Sequence, residues 1–234
     1  MKRVLLASTM ALAIAGVATV IGVSAIAAPA PSITVSVPER ADNFQLTDHT
    51  RLAHELHYFK DAKAIVLMSQ INGSDVSRKS ASELEKLKAA YKDQGVLFYM
   101  INSKDSRDAA AVEAKAQSFD IPILVDELQL VGESLGVQRE GEIFVVDPKS
   151  GFKIAYHGPL AQTAAAIDSV VAGKAVANAR VEVKSGATIA FPERAKSAEF
   201  KNISYSKDVT AILQDKCVTC HQKGGIAPFA MDSY

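Results

Sequence analysis

The chain has 234 residues, 48% of them hydrophobic, with 26 basic side chains balancing 26 acidic ones. That length buries one full domain and leaves room for a small second one, and the absence of any long run of like charge argues against a nucleic-acid groove or a polybasic membrane patch. The only cysteines, Cys217 and Cys220, sit three positions apart, which excludes a multi-disulfide framework.

In chain order, Lys2 and Arg3 precede an uncharged stretch from Val4 to about Ala28, with small residues at Ala25-Ile26-Ala27. This pattern predicts an export signal over 1–28 and an extracytoplasmic, periplasmic-type location. An uncleaved anchor is the alternative, since roughly 20 apolar residues suffice to span a bilayer, and only then is a membrane a partner. Residues 29–42 read as a stiff spacer, Pro29-Ala30-Pro31-Ser32, and a peripheral strand from Ile33 to Arg40 ending at Pro38. Asn43 to Leu46 is a second short strand.

Ala64 to Ser69 is a continuous apolar run of strand length, followed by the turn formers Asn72-Gly73-Ser74-Asp75, and predicts a central strand covered on both faces. Ala81, Leu84, Leu87 and Tyr91 recur at helical spacing, which predicts an amphipathic helix from Ser80 to Lys92. A buried strand follows at Gly95 to Ile101. Further elements are expected at Asp108 to Phe119 (helix), Ile121 to Val125 (strand), Leu128 to Leu135 (short helix ended by Gly136) and Glu142 to Val146 (strand). The turn Asp147-Pro148-Lys149-Ser150-Gly151 joins that strand to Phe152 to His157, and Gly158-Pro159 leads into a helix reaching about Ala172. Strands alternating with helices, then a hairpin and a helix, predict an α/β three-layer sandwich with a mixed sheet.

From about Asn43 to Ala172 the chain resembles the redoxin branch of the thioredoxin superfamily, the alkyl hydroperoxide reductase/thiol-specific antioxidant type. Element order carries the resemblance, together with Glu83-Leu84-Glu85-Lys86-Leu87, Gly95-Val96-Leu97-Phe98 and Phe144-Val145-Val146-Asp147-Pro148. It implies a thioredoxin-like domain over 43–174. The family's nucleophilic cysteine lies in the loop after the central strand, where a helix N-terminus depresses a thiol pKa. Ser74 is its nearest counterpart here, and a hydroxyl with no base beside it in sequence does not attack a peroxide or disulfide. Glu140-Gly141-Glu142 stands where the family places a cis-proline. The resemblance therefore implies a domain without its catalytic residue, serving as a docking or spacing module.

Beyond a connector at 175–203, expected to be ordered but exposed, lies the second chemical feature. Cys217-Val218-Thr219-Cys220-His221 has the spacing of c-type haem attachment: two thiols add to the porphyrin vinyl groups and the adjacent imidazole meets the iron. Ser206 is placed to cap a preceding helix bearing Val209, Ile212 and Leu213. The resulting expectation is an electron-transfer protein with one covalent haem c on Cys217 and Cys220, His221 as proximal iron ligand, the sixth ligand unassigned, and a redox protein as partner. Residues 201–231 also resemble the opening of cytochrome c-like domains fused to redoxin domains in exported bacterial proteins, which implies an incomplete domain over 204–234.

Other readings of the pair stay open. It could form a structural disulfide or serve as the dithiol of a thiol–disulfide oxidoreductase or peroxiredoxin-like protein. With His221 and a donor such as His157 it makes a zinc half-site. A further reading is a binding module whose haem segment never matures. Met231 reads as a core or surface methionine, His49, His54 and His57 as a solvated face, and His157 as a hydrogen-bonded edge histidine.

Overall fold

The computed structural model describes residues 36–192 and 202–231. The expected signal or anchor, the start of the spacer and part of the connector lie outside them. Among the described residues no helix is long and apolar enough to cross a membrane.

A small antiparallel pair comes first, β1 (Gln45–Thr47) and β2 (Ala53–Glu55), followed by a 3₁₀ turn at Leu56–Phe59. The main body runs β3 (Ala64–Ser69), α1 (Asp75–Ala90), β4 (Val96–Asn102), α2 (Arg107–Gln117), β5 (Ile123–Val125), α3 (Leu130–Leu135), β6 (Glu142–Asp147), β7 (Lys153–Pro159) and α4 (Thr163–Val171). After the connector come a π-helical turn, Tyr205–Val209, and α5 (Thr210–Lys216).

The five-stranded sheet has the order β5-β4-β3-β6-β7. Strand β3 is parallel to β4 and β4 to β5, whereas β6 is antiparallel to both β3 and β7, so the sheet is mixed as expected. Apolar residues on both sides of the pleat explain its central position. Val66 and Met68 face a core shared with Ala81 and Leu84 of α1, Ala110 and Ala114 of α2, and Ile167 of α4. Ile65 and Leu67 point the other way, into a core with Val131 and Leu135 of α3, Phe144, Phe152 and Leu56. Helices on both faces of a mixed sheet give the thioredoxin-like α/β architecture.

Several expectations change. Residues 36–39 form no strand, and Arg40 contributes only an isolated bridge to Lys153. Helix α1 begins five residues earlier than the apolar spacing suggested, because the Ser74 hydroxyl accepts from the Ser77 amide and so caps a polar first turn. Nor is the connector a merely exposed link. Ile189 is 3% exposed and Phe191 8%, and both belong to the second core.

Candidate functional site

Strand β3 delivers the chain to the sheet's C-terminal edge, and the loop Gln70 to Gly73 turns it into α1. Gly73 takes φ +75°, and Ser74 occupies the N-cap with extended backbone. The Arg78 guanidinium grips Glu113 of α2 through two bonds, of 2.6 and 2.9 Å, and Glu113 also accepts from the Gly73 amide. On the other side of the turn, Asp105 accepts from the Asn72 amide and from Asn102. The loop is therefore braced from two sides.

What faces Ser74 is a carboxylate. Glu140, 2% exposed, accepts from the Ser77 hydroxyl at 2.6 Å and from the Ala187 amide at 2.8 Å, and takes a further bond from Ser74. Burial works to raise the Glu140 pKa, but the bonds from Ala187, Ser74 and Ser77 together outweigh it and hold the carboxyl below its ordinary range. A carboxylate shifted downward is a poor general base for a hydroxyl, so the Ser74–Glu140 contact serves helix capping and not nucleophile activation. In the expected cis-proline position the chain carries trans bonds: among the described residues there is no cis peptide.

The connector crosses this corner as a strap. Arg139 and Thr188 form an antiparallel bridge, the Glu140 amide donates to Ala187 O, the Ile189 amide to Gln138 O, and the Arg139 guanidinium to Gly186 O. At Gly186, with φ +89°, a Cβ would stand 2.7 Å from both Cγ and the carbonyl oxygen of Glu140. Only glycine admits so close an approach. The sequence offered a partial signal for this strap, the alternation of Ile189 and Phe191 behind Gly186.

The Cys-x-x-Cys pair sits at the end of α5. The Cys217 amide donates to Leu213 O, closing the helix, and the Cys220 amide donates to Cys217 O at 3.1 Å, closing a turn. Such a turn holds its end Cα atoms within about 7 Å, the range over which a disulfide can close. Cys217 is half-buried and Cys220 exposed, both as free thiols. Residues 222–231 fold back: the Ala227 amide reaches Cys220 O, the Met231 amide reaches His221 O, and His221 Nδ1 pairs with Phe229 O at 3.0 Å.

The other histidines do not converge on this pair. His54 is buried, 2.8 Å from Asp48, and packs edge-on to Tyr99. The solvated-face reading is therefore corrected for His54, because Asp48 is itself buried and gathers the Thr50 and Leu52 amides into one knot. His49 accepts from the Ile123 amide through Nδ1, and His57 stacks on Phe152 with ring centroids 4.1 Å apart. His157 lies on the edge strand β7 as expected, but it is buried and its Nε2, 3.5 Å from Glu142, makes no hydrogen bond. No cluster of three or more His, Cys, Asp or Glu side chains among the described residues is arranged to hold a metal ion, so the zinc half-site with His157 is not assembled there.

A sequence model described as the AhpC/TSA family matches residues 37–156. Among solved structures, a hypothetical protein from Sinorhizobium meliloti is 25% identical, covering 67% of this chain and 95% of its own, with a TM-score of 0.59. The peroxidoxin BcpB of Mycobacterium tuberculosis is 20% identical over 58% of this chain and 96% of its own, at TM-score 0.51. A protein titled as a thiol:disulfide interchange protein, DsbE, from Chlorobium tepidum is 15% identical over 59% of this chain and 99% of its own, also at 0.51. No protein of curated function matches.

These comparisons correct the expectation of a single-haem electron-transfer cytochrome, because the family whose model matches is AhpC/TSA and the similar structures share a thioredoxin-like fold and not a cytochrome's. The physical reason lies in the C-terminal segment. No side chain of the π turn or of α5 is buried, and Ile212, Ile226 and Phe229 are 61%, 93% and 60% exposed. The described part of that segment thus builds no apolar enclosure of the kind a haem packs into, and His221 turns to Phe229.

Proposed function

Because the chain belongs to the AhpC/TSA family, whose model spans 37–156, we propose that it is a thiol–disulfide oxidoreductase whose redox pair is Cys217 and Cys220 and not a cysteine of the redoxin loop. The observation that carries this reading is the division of labour in the chain. Ser74 caps α1 where the family's nucleophile would stand, and the molecule's only two thiols lie together in one closed turn outside the matched region.

The exposed Cys220 is the attacking sulfur. As thiolate it attacks one sulfur of a substrate disulfide, forms a mixed disulfide and releases the first substrate thiolate, which takes up a proton. Cys217, three residues back and half-buried, then attacks the Cys220 sulfur, closes the internal disulfide and releases the second thiolate. Two electrons pass to the substrate, whose two sulfurs gain two protons. A dithiol protein re-reduces the pair, and this donor together with the disulfide substrate makes up the set of partners. The Lys2 to Ala28 pattern fits an extracytoplasmic setting, where disulfide substrates persist.

The test is an intact mass with and without reductant, followed by alkylation, alongside turnover of a model disulfide by the whole chain. The oxidised protein should be two protons light and unlabelled, and the reduced protein should take two alkyl groups. Cys220→Ser should abolish turnover, while Cys217→Ser should trap mixed disulfide. Cysteines that refuse alkylation after reduction, in a protein heavier by one haem, overturn the proposal. So does turnover that persists in the double variant, and so does a reduced, labelled protein that turns nothing over, which would leave a binding module.

A further inference from the structure

Charge balances over the whole chain, yet one cleft concentrates a single sign. It lies beside the turn after β6, the first residues of β7 and the end of α4, encloses about 710 Å³, and is bordered by Lys63, Lys149, Lys153, Lys174 and Arg180 against one acid, Asp147. We infer that this cleft binds a multiply charged phosphate group carried on an apolar body.

The one acid offsets only part of that charge. Asp147 accepts from the Lys149 and Ser150 amides and from the Ser150 hydroxyl, so its oxygens are committed to the 3₁₀ turn they cap. Lys149 turns aside to Asp61, 3.5 Å away, and to Lys60 O. Arg180 donates to the carbonyls of Ala179 and Pro38 and meets no carboxylate among the described residues. Lys63, Lys153 and Lys174 have no acidic partner among the described residues. The C-terminal end of α4 accounts for Lys174, since helix carbonyls attract cations. It does not account for Lys63 before β3, Lys153 in β7 or Arg180 in the connector, which reach the same cleft from separate parts of the chain. Cations gathered in excess of their counter-charge repel one another, and a bound anion relieves that repulsion.

The floor supplies the second half of the recognition. Ile154 and Val170 are buried, and Val171 and Val176 are half-buried around them. The volume falls within the range of sites for small organic ligands. A nucleotide polyphosphate in solution, through its base, and an anionic lipid, through the start of its acyl chains, both join phosphate to a part that packs on apolar side chains. Neither cysteine lines the cleft, so this inference stands or falls apart from the dithiol reading.

Titration of the full chain with ATP, with pyrophosphate, and with phosphatidic acid vesicles against phosphatidylcholine vesicles tests the inference and separates the two sources. ATP or phosphatidic acid vesicles should bind, with affinity falling steeply as salt rises. Lys153→Glu/Lys174→Glu, at two exposed side chains with no partner to lose, should fold normally and weaken that binding roughly tenfold or more. Binding of ATP identifies a soluble ligand, and binding confined to phosphatidic acid vesicles identifies a lipid; both support the site. Absence of binding to all of them at millimolar concentration overturns it, as does equal binding by the double variant or binding of pyrophosphate alone.

Discussion

Glu140→Gln is the substitution from which most can be learned. The carboxylate offers acceptors in two directions: Oε1 receives the Ala187 amide and Oε2 the Ser77 hydroxyl. A glutamine must turn its NH₂ toward one of them. Facing Ala187 it sets donor against donor, and facing Ser77 it meets a hydroxyl whose oxygen already accepts from the Ile71 amide. At least one charge-assisted bond is lost and one buried donor is left without a partner, a loss of about 2–4 kcal/mol. In urea unfolding this appears as a lower midpoint at unchanged slope, and as a fall in Tm of roughly 5–12 °C for a domain of this size. The pH dependence fixes the cause. Glu140 has a folded pKa below the reference value of 4.5, so its contribution is fully present above that value and is lost as pH falls through the lower folded pKa. The gap between native and variant stability should therefore be constant from neutral pH down to about 5 and narrow progressively as pH falls below 4.5 and Glu140 takes up its proton. A variant within about 0.5 kcal/mol of the native protein at pH 7 would refute the reasoning, and so would a gap that does not narrow in acid.

Other expectations follow from neighbouring contacts. Gly186→Ala puts a methyl group into Glu140 at a residue of positive φ, and should cost about 1–3 kcal/mol while accelerating amide exchange at Ala187 and Ile189; unchanged exchange there would contradict the strap. Ser74→Cys places a thiol beside the Glu140 carboxylate, which opposes thiolate formation, so its pKa measured by alkylation rate should lie at or above the free value of about 8.5 and peroxide should not be reduced. A lower thiol pKa or peroxide turnover would show the loop to be a working site that lacks only sulfur. Leu84→Ala empties a fully buried position between α1 and β3, and should lower stability by about 2–5 kcal/mol in chemical denaturation without altering thiol labelling of Cys217 and Cys220.

Local signals were strongest where one element could be recognised from its own residues. The apolar run of β3 appears at the same bounds, Ala64–Ser69, because a strand buried on both faces is apolar along its length, and the one polar member, Ser69, is hydrogen-bonded to Arg139 O. Gly136 ends α3 in the left-handed conformation, as its position after Leu135 suggested. The α/β sandwich with a mixed sheet followed from the order of such elements, and the thioredoxin-like class from the resemblance to the redoxin family. The start of α1 escapes the apolar periodicity because its first turn, Asp75 to Arg78, has a single apolar residue, Val76, and the Ser74 cap marks it instead.

The chain's own residues thus determine its elements, the missing sulfur at Ser74 and the confinement of both thiols to Cys217 and Cys220. Tertiary structure decided what no local pattern contains. His54 looked solvated among Arg51, Glu55 and Lys60, yet it is buried because Asp48, six residues earlier, folds against it. Glu140 and Ala187 meet 47 positions apart, which makes a strap of a segment whose sequence reads as a linker. The basic cleft assembles from Lys63, Lys153, Lys174 and Arg180 in a chain of zero net charge. Burial and electrostatic fields depend on distance in space, and sequence spacing encodes that distance only within one helix or strand.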